Sequence, residues 1–244
     1  MAPIRKGDGT PLEIPGVSEV RSGDGRVFFE GDAIPDSGIA QYLFDEGSET
    51  TFGDKQGDAD GTLIGAGWQE DSQAVGGWMA EFDGVDDYGQ VDQEDQPSVG
   101  AQGVVVGTFE MVDVTVGRDP TQDVFYCSDE AGDRVRLIVR DQDKWSFVIA
   151  DVFEFDGVQD VVDGEKIRFG IGWDDGDYSV RIDGSEVDNG TYGDTVTLNA
   201  HDWQVGGETI DDGYSNVRID NLVIDNSYWS AQEWQDDYDA QPWS

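Results

Sequence analysis

The chain has 244 residues, of which 54 are Asp or Glu and only 14 are Lys or Arg, a formal net charge of −40. Such an excess of carboxylate excludes bare nucleic acid and anionic lipid as partners, since either would add like charge. Disorder is excluded as well, because 37% hydrophobic and 11% aromatic residues, with 8 Trp, supply the core that disordered acidic chains lack, and the length suits one large all-β domain.

The opening "MAPIRKGDGTPLEIPG" has no apolar stretch of the secretory kind, and no segment approaches 18 apolar residues. The chain is expected to be soluble as made, without membrane insertion. "EVRSGDGRVFF" reads as a small hairpin, because Asp-Gly tolerates the positive φ of a tight turn. "AIPDSG" at 33–38 reads as a hinge. Residues 1–36 are thereby set apart as an N-terminal arm, too short to bury a core alone, that docks on its own domain or on a partner. The domain itself spans 37–244.

From Ile39 the predicted strands are 39–44, 62–64, 78–82, 88–91, 103–116, 124–128, 134–140, 145–153, 166–173, 178–182, 195–198, 203–205 and 217–224. Asp-Gly pairs at 60–61, 83–84, 156–157, 163–164, 175–176, 183–184 and 212–213 supply the turns. Many short strands with turn signals, and no βαβ spacing, indicate an all-β sandwich or barrel. Cys127 stands alone in "VFYCSD", which excludes an internal disulfide and a Cys-rich zinc site and suggests a buried thiol in a strand. Ser230-Ala-Gln-Glu233 is a capping box, and Trp229 and Trp234 fit a hydrophobic staple around it. One short helix is predicted over 231–238.

Five segments in order resemble the laminin-G-like, or concanavalin A-like, jelly-roll family. They are "IAQYLFDEGSET", "DADGTLIGAGWQED", "FDGVDDYGQVD", "FGIGWDDGDYSVRIDGSEV" and "VRIDNLVIDNSYWSAQEWQDDY", together covering roughly residues 39–240. The resemblance implies a concanavalin A-like jelly-roll β-sandwich with a short C-terminal helix. In "FDGVDDYGQVD" it places Phe82, Val85, Tyr88 and Val91 in or over the core, with the acids on a rim turn. The stretch "SEVRSGDGRVFFEGDAIPDSG" resembles the openings of structural proteins of haloarchaeal tailed viruses. That likeness implies a virion surface location, with residues 1–36 contacting other virion proteins and the chain forming a homo-oligomer.

Chemistry is sparse. His201, the one histidine, has no Ser or Cys partner at a recognisable spacing. Glycosidases of this fold carry Glu-x-Asp-x-x-Glu along one strand, with acid and nucleophile about 5–5.5 Å apart. The nearest approaches, Glu81-Phe-Asp83 and Glu154-Phe-Asp156, lack the third Glu, so no enzyme is expected. Relatives of this family bind Ca²⁺ between rim loops, and the matching loops here offer Asp129, Glu130 and Asp133 against Glu208, Asp211 and Asp212. The alternatives are Na⁺ or K⁺ in that place, or plain solvation. In "DRVRLIVRDQDKW", Arg134, Arg136 and Arg140 alternate with Val135, Leu137 and Val139. Those arginines, with Trp145 or Trp173 as a stacking platform, can form a patch for an anionic sugar; the alternative is pairing with acidic neighbours across strands. The expected function is a non-enzymatic recognition module contacting host-surface glycan or glycoprotein. A purely structural virion protein and a secreted glycan-binding or glycan-cleaving protein are the alternatives.

A folded domain at −40 repels itself in dilute buffer, and about 1 M salt shortens the Debye length to roughly 3 Å and screens that repulsion. Only four of the cations are Lys, the acid-rich, lysine-poor balance that proteins from hypersaline environments resemble. Circular dichroism is expected to show loss of β structure when KCl falls from molar to millimolar. A melting temperature that is constant across that range would contradict the reading.

Overall fold

Alternating side chains along the central segments build two antiparallel sheets that face each other across the core. The computed structural model describes residues 17–21, 27–31, 38–57, 59–91, 96, 99–115, 121–129, 134–140, 144–149, 153–193, 200–209 and 213–243. In chain order the strands among them are β1 (Val17–Arg21), β2 (Val27–Gly31), β3 (Gly38–Tyr42), β4 (Thr51–Phe52), β5 (Gly61–Ile64), β6 (Gly67–Glu70), β7 (Trp78–Glu81), β8 (Tyr88–Val91) and β9 (Gln102–Met111). There follow β10 (Gln122–Asp129), β11 (Arg134–Arg140), β12 (Lys144–Ile149), β13 (Phe153–Asp160), β14 (Lys166–Asp174), β15 (Asp177–Ile182), β16 (Ser185–Thr191), β17 (Ala200–Val205) and β18 (Val217–Asp225), then helix α1 (Ala231–Asp239). No helix among the described residues is long and apolar enough to cross a membrane.

One sheet runs β13-β12-β11-β10-β17-β8-β5-β4 and the other β16-β15-β14-β9-β18-β7-β6, with β3 also paired to β18. The jelly-roll sandwich with a single short helix is the architecture expected from the sequence. The hairpin read at 19–29 is present as β1 and β2, which form a separate two-stranded sheet with Arg21 opposite Val27; the rest of the arm lies outside the described residues. The turns Asp175-Gly176 and Asp183-Gly184 have positive φ at both positions, as tight hairpins demand.

Several elements differ from the sequence reading. Asp156-Gly157 does not close a turn: β13 runs through it, and Gly157, at φ 88, accompanies a shift of register against β12. Asp60-Gly61 opens β5 rather than a turn, and the Phe52 ring occupies the space where a side chain on Gly61 would lie. Strands β4, β6, β13 and β16 were not expected, the strand predicted over 145–153 ends at Ile149, and the strand predicted at 195–198 lies outside the described residues. Phe82 and Val91 do enter the core, whereas Val85 is 64% exposed at the tip of its turn. Its N–H donates to Asp83 Oδ1 at 2.8 Å, closing an Asx turn that points the side chain outward.

The long strand β9 is buried along almost its whole length because both of its faces are covered. Val105, Phe109 and Met111 face the core, where Trp145, Phe169, Trp173 and Trp203 pack, and Cys127 is buried among them. Val104 and Val106 face outward and lie beneath α1 with Val223, Trp229 and Trp234. Helix α1 starts on the complete capping box, and the staple rings of Trp229 and Trp234 meet edge to face at 5.1 Å. Gly170 and Gly172 let the Trp234 indole rest on β14, since the ring passes 2.9 and 3.3 Å from where their Cβ atoms would stand.

The helix is also held electrostatically. Arg168 of β14, almost wholly buried, donates through Nε and Nη2 to both oxygens of Asp237, each at 2.8 Å. Its Nη1 donates to Thr108 Oγ1 at 3.3 Å and to the carbonyl of Asn221. Asp237→Ala leaves that guanidinium buried and unpaired, which costs about 3–5 kcal/mol. At roughly 2–4 °C per kcal/mol for a chain of this size, thermal melting is expected to fall by about 6–20 °C, and Arg168→Met with Asp237→Leu is expected to recover most of the loss.

Candidate functional site

The arginine strand alternates as its sequence requires. Val135, Leu137 and Val139 of β11 are in the core, and Arg134, Arg136, Ile138 and Arg140 lie on the outer face of their sheet. Arg136 is only 5% exposed. It donates through Nε and Nη2 to the two oxygens of Asp123, both at 2.6 Å, and its guanidinium sits 5.6 Å above the Tyr126 ring. Asp123 is fully buried, its N–H donates to the Gly213 carbonyl, and Glu208, 1% exposed, adds its charge to the pair. A side chain at Gly213 would collide with the Asp123 carboxylate, so the loop packs this closely only with glycine there. Arg136 is therefore committed to a charged neighbour across the strands, the alternative that the sequence left open, and is not available to an anionic sugar.

The proposed stacking platforms are corrected by the same burial. Trp145 is 2% exposed and packs between Phe109 and Phe169, with ring centres 6.1 and 5.5 Å away. Trp173 is fully buried, and its Nε1–H donates to the Gly100 carbonyl at 3.3 Å. Both project inward because they share strand parity with the core valines and phenylalanines, so neither offers a face to a sugar. Of the rim-loop acids, Glu208 is buried beside the Arg136 pair, Asp129 ends β10, and Glu130, Asp133, Asp211 and Asp212 lie outside the described residues. Glu81, half of the first carboxylate pair considered for catalysis, accepts from Arg218 Nε at 2.6 Å. The backbone of His201 lies in β17.

A different surface emerges from the register. Thr51, Thr62, Gln90, Gln204, Tyr126 and Arg136 stand directly opposite one another across six neighbouring strands on the outer face. At ~4.8 Å per strand the row is roughly 24 Å long. Its Arg136 end is buried, and Gln204 is fixed by exchanging hydrogen bonds with Thr209. The other end is open: Thr51 and Thr62 are exposed and Gln90 is half-buried, with exposed Ile64 opposite half-buried Tyr88 in the next row. Two hydroxyls, an amide, a tyrosine ring and an aliphatic side chain make a surface that can hydrogen-bond sugar hydroxyls while packing on a sugar face. The sequence signal is the polar residue at alternate positions of "GTLI" and "YGQV", which alternation alone does not distinguish from an ordinary solvated face.

Beside this surface, carboxylate oxygens of Asp83, Asp86 and Asp87 lie within 4.8 Å of one another, close enough to share a cation. The turn is already ordered by its own bonds, the Asp83 N–H donating to Asp87 Oδ2 at 3.0 Å.

No family profile matches the sequence, and no curated protein does. Solved structures do. Domain 4 of AbnA, an extracellular arabinanase from Geobacillus stearothermophilus solved with arabinotriose, superposes with TM-score 0.64 at 17% identity, over 84% of this chain and 98% of that domain. The likeness is one of fold. The botulinum neurotoxin serotype D binding domain matches with TM-score 0.64 at 15% identity over 86% of this chain, and Trypanosoma rangeli sialidase with 0.60 at 14% identity over 81%. Our chain spans about half of the toxin chain and a third of the sialidase chain. The fold thus occurs both in binding domains and within chains that carry enzymes.

Burial governs titration. It pushes Asp123 up to about 6 against the pull of Arg136, and it also raises Asp87, Asp183 and Asp220. Asp71 shifts the other way: its burial is outweighed by the hydrogen bonds from Lys166 and the Gln73 N–H together with the charges of Lys166 and Arg218. A carboxylate raised on folding takes up its proton before the unfolded chain does, so the contribution of Asp123 to stability is fullest below the ordinary carboxylate range and is lost as pH rises through about 6. The melting temperature at fixed salt is expected to rise as pH is lowered from 7.5 to 5.5, and Asp71 does not oppose this because it titrates below that window.

Proposed function

We propose that the chain is a non-enzymatic carbohydrate-recognition module whose outer face at β4, β5 and β8 binds a neutral, extended glycan. The observation that carries this reading is the row of Thr51, Thr62 and Gln90 beside Tyr88 and Ile64, set on a sandwich fold shared with a domain solved holding arabinotriose. A neutral ligand follows from charge: the net −40 repels acidic sugars, and Arg136 is already neutralised by Asp123. Neither carboxylate pair is followed by the third Glu of the glycosidase pattern, and Glu81 is held by Arg218. The resemblance of the N-terminal stretch to haloarchaeal virus structural proteins supports a place on a halophilic virus particle, the arm anchoring the chain and many copies turning weak contacts into firm host attachment.

Glycan arrays probed in molar KCl with the multimerised domain, residues 37–244, are expected to show neutral oligosaccharides bound and acidic ones not. Gln90→Ala and Tyr88→Ala are each expected to weaken binding about tenfold, of order 1.4 kcal/mol, with melting unchanged. A preference for acidic glycans, or binding that survives both substitutions, would overturn the assignment of this face.

A further inference from the structure

The outermost strand of the helix-side sheet carries a motif that glycan recognition does not use. Strand β16 ends in Asn189-Gly190-Thr191, an asparagine followed two positions later by threonine with no proline between. None of the other asparagines, Asn199, Asn216, Asn221 and Asn226, has Ser or Thr at that distance. In Asn-x-Thr the asparagine amide accepts a sugar and the threonine hydroxyl is read by the transferase, so both side chains must be reachable.

Both are exposed, and register sets them on the outer face of the sheet. Asn189 stands opposite Ser179, and Ser179 opposite Gly172, whereas Tyr178 and Val180 at the alternate positions enter the core. Gly190 is turned inward against the Tyr178 ring, 3.1 Å from where its Cβ would stand, so the middle residue of the motif is out of the way. Asn189 Nδ2 donates to Glu186 Oε1 at 2.8 Å, and Glu186 Oε2 accepts from Arg181 Nη2 at 2.8 Å. A primary amide has two N–H bonds. One can carry a sugar while the other keeps its bond to Glu186, which would orient the linkage.

The strand can also be drawn out to meet an enzyme. Its one partner is β15, the ladder between them is broken at Val180–Arg181, and glycines at positive φ, Gly184 and Gly193, bound it. An edge segment of this kind opens locally at less cost than the core strands. A surface for the sugar lies nearby. Tyr228, 38% exposed, covers Gly172 on the same outer face, 3.3 Å from where a Cβ there would stand. Asn189 is two strands away, about 10 Å, which gives the first sugars an aromatic face to pack on.

We propose that Asn189 is an N-glycosylation site. Its Nδ2 attacks C1 of an oligosaccharide carried on a lipid phosphate. The C1–N bond forms, the C1–O bond to phosphate breaks, the amide gives up one proton and the lipid phosphate departs. The site lies on the sheet opposite the β4, β5 and β8 face and is independent of recognition there. Such transfer belongs to secretory routes, so an occupied Asn189 also marks a chain that has crossed a membrane.

Trypsin releases Ile182–Arg218 as one peptide, because no Lys or Arg lies between Arg181 and Arg218. In mass spectrometry of the full chain isolated from the cells that naturally make it, this peptide is expected to be heavier by a set of sugar residues, placed on Asn189 by fragmentation. Expressed in the same cells, Asn189→Gln and Thr191→Ala are expected to lose the added mass and Thr191→Ser to keep it. All three substitutions are at exposed positions and are expected to keep the circular dichroism of wild type. Natural material with Asn189 unmodified would overturn the proposal. So would sugar on Asn189 that persists in Thr191→Ala, because the motif would then not direct its attachment.

Discussion

The domain is organised around one buried guanidinium. Arg168 reaches from β14 across β9, through Thr108, to the bulge of β18, through the Asn221 carbonyl, and to the helix, through Asp237. Asn221 in turn accepts from Gln41 of the first strand of the sandwich and donates to Gln241 beyond the helix, and Gln241 donates back to the Asp237 carbonyl. A charge taken out of water is tolerable only when every donor is used, and here that requirement fixes the positions of four separate pieces of chain at once. The left-handed conformation of Asn221 is what presents its carbonyl to Arg168, and it also marks where β18 changes partner from β7 to β3. The bulge, the helix dock and the sheet seam are one feature.

Few cations must serve many acids, and the described ones are concentrated where they count. On the outer face beside the helix, Lys166 bridges Asp71 and Glu110, and Arg218 bridges Glu81 and Glu110. On the opposite sheet Arg136 answers Asp123. These partners are buried or half-buried carboxylates, the ones for which solvent cannot compensate. Acids at the rim, such as Asp83 and Asp86, are left to water and salt, and lysine-poor composition follows: planar Arg forks suit buried bidentate pairing better than a flexible ammonium does.

Much of this was legible in the sequence. The capping box and Trp staple located the helix within a residue, the Asp-Gly pairs at 175–176 and 183–184 located their hairpins, and alternation in "RVRLIVR" assigned each side chain to its face. What alternation cannot reveal is whether anything covers the outer face. Arg136 looked like a ligand-binding residue because its partner Asp123 lies thirteen positions earlier, on another strand. Trp145 and Trp173 looked available because aromatic rings suit both cores and sugar platforms, and only strand parity within the assembled sheet decides between them. The break in β18 at Asn221 was illegible for the same reason: it arises from β7 and β3 sharing one edge of that strand, which is a property of topology and not of any local motif.

The sheets end in strands that are guarded in two ways. Glu186 and Asp188 place negative charge on β16, and β13 closes on Asp160; β4 is only two residues long, while bulges interrupt the outermost ladders at Val180–Arg181 and at Trp145–Phe147. Charge and shape are both recognised deterrents to edge-to-edge pairing, but they respond differently to the medium. At about 1 M salt the screening length, roughly 3 Å, is shorter than the ~4.8 Å between paired strands. Like charge on two approaching edges then offers little resistance, and what keeps separate copies from zipping into a continuous sheet is the broken register and the brevity of the strands themselves.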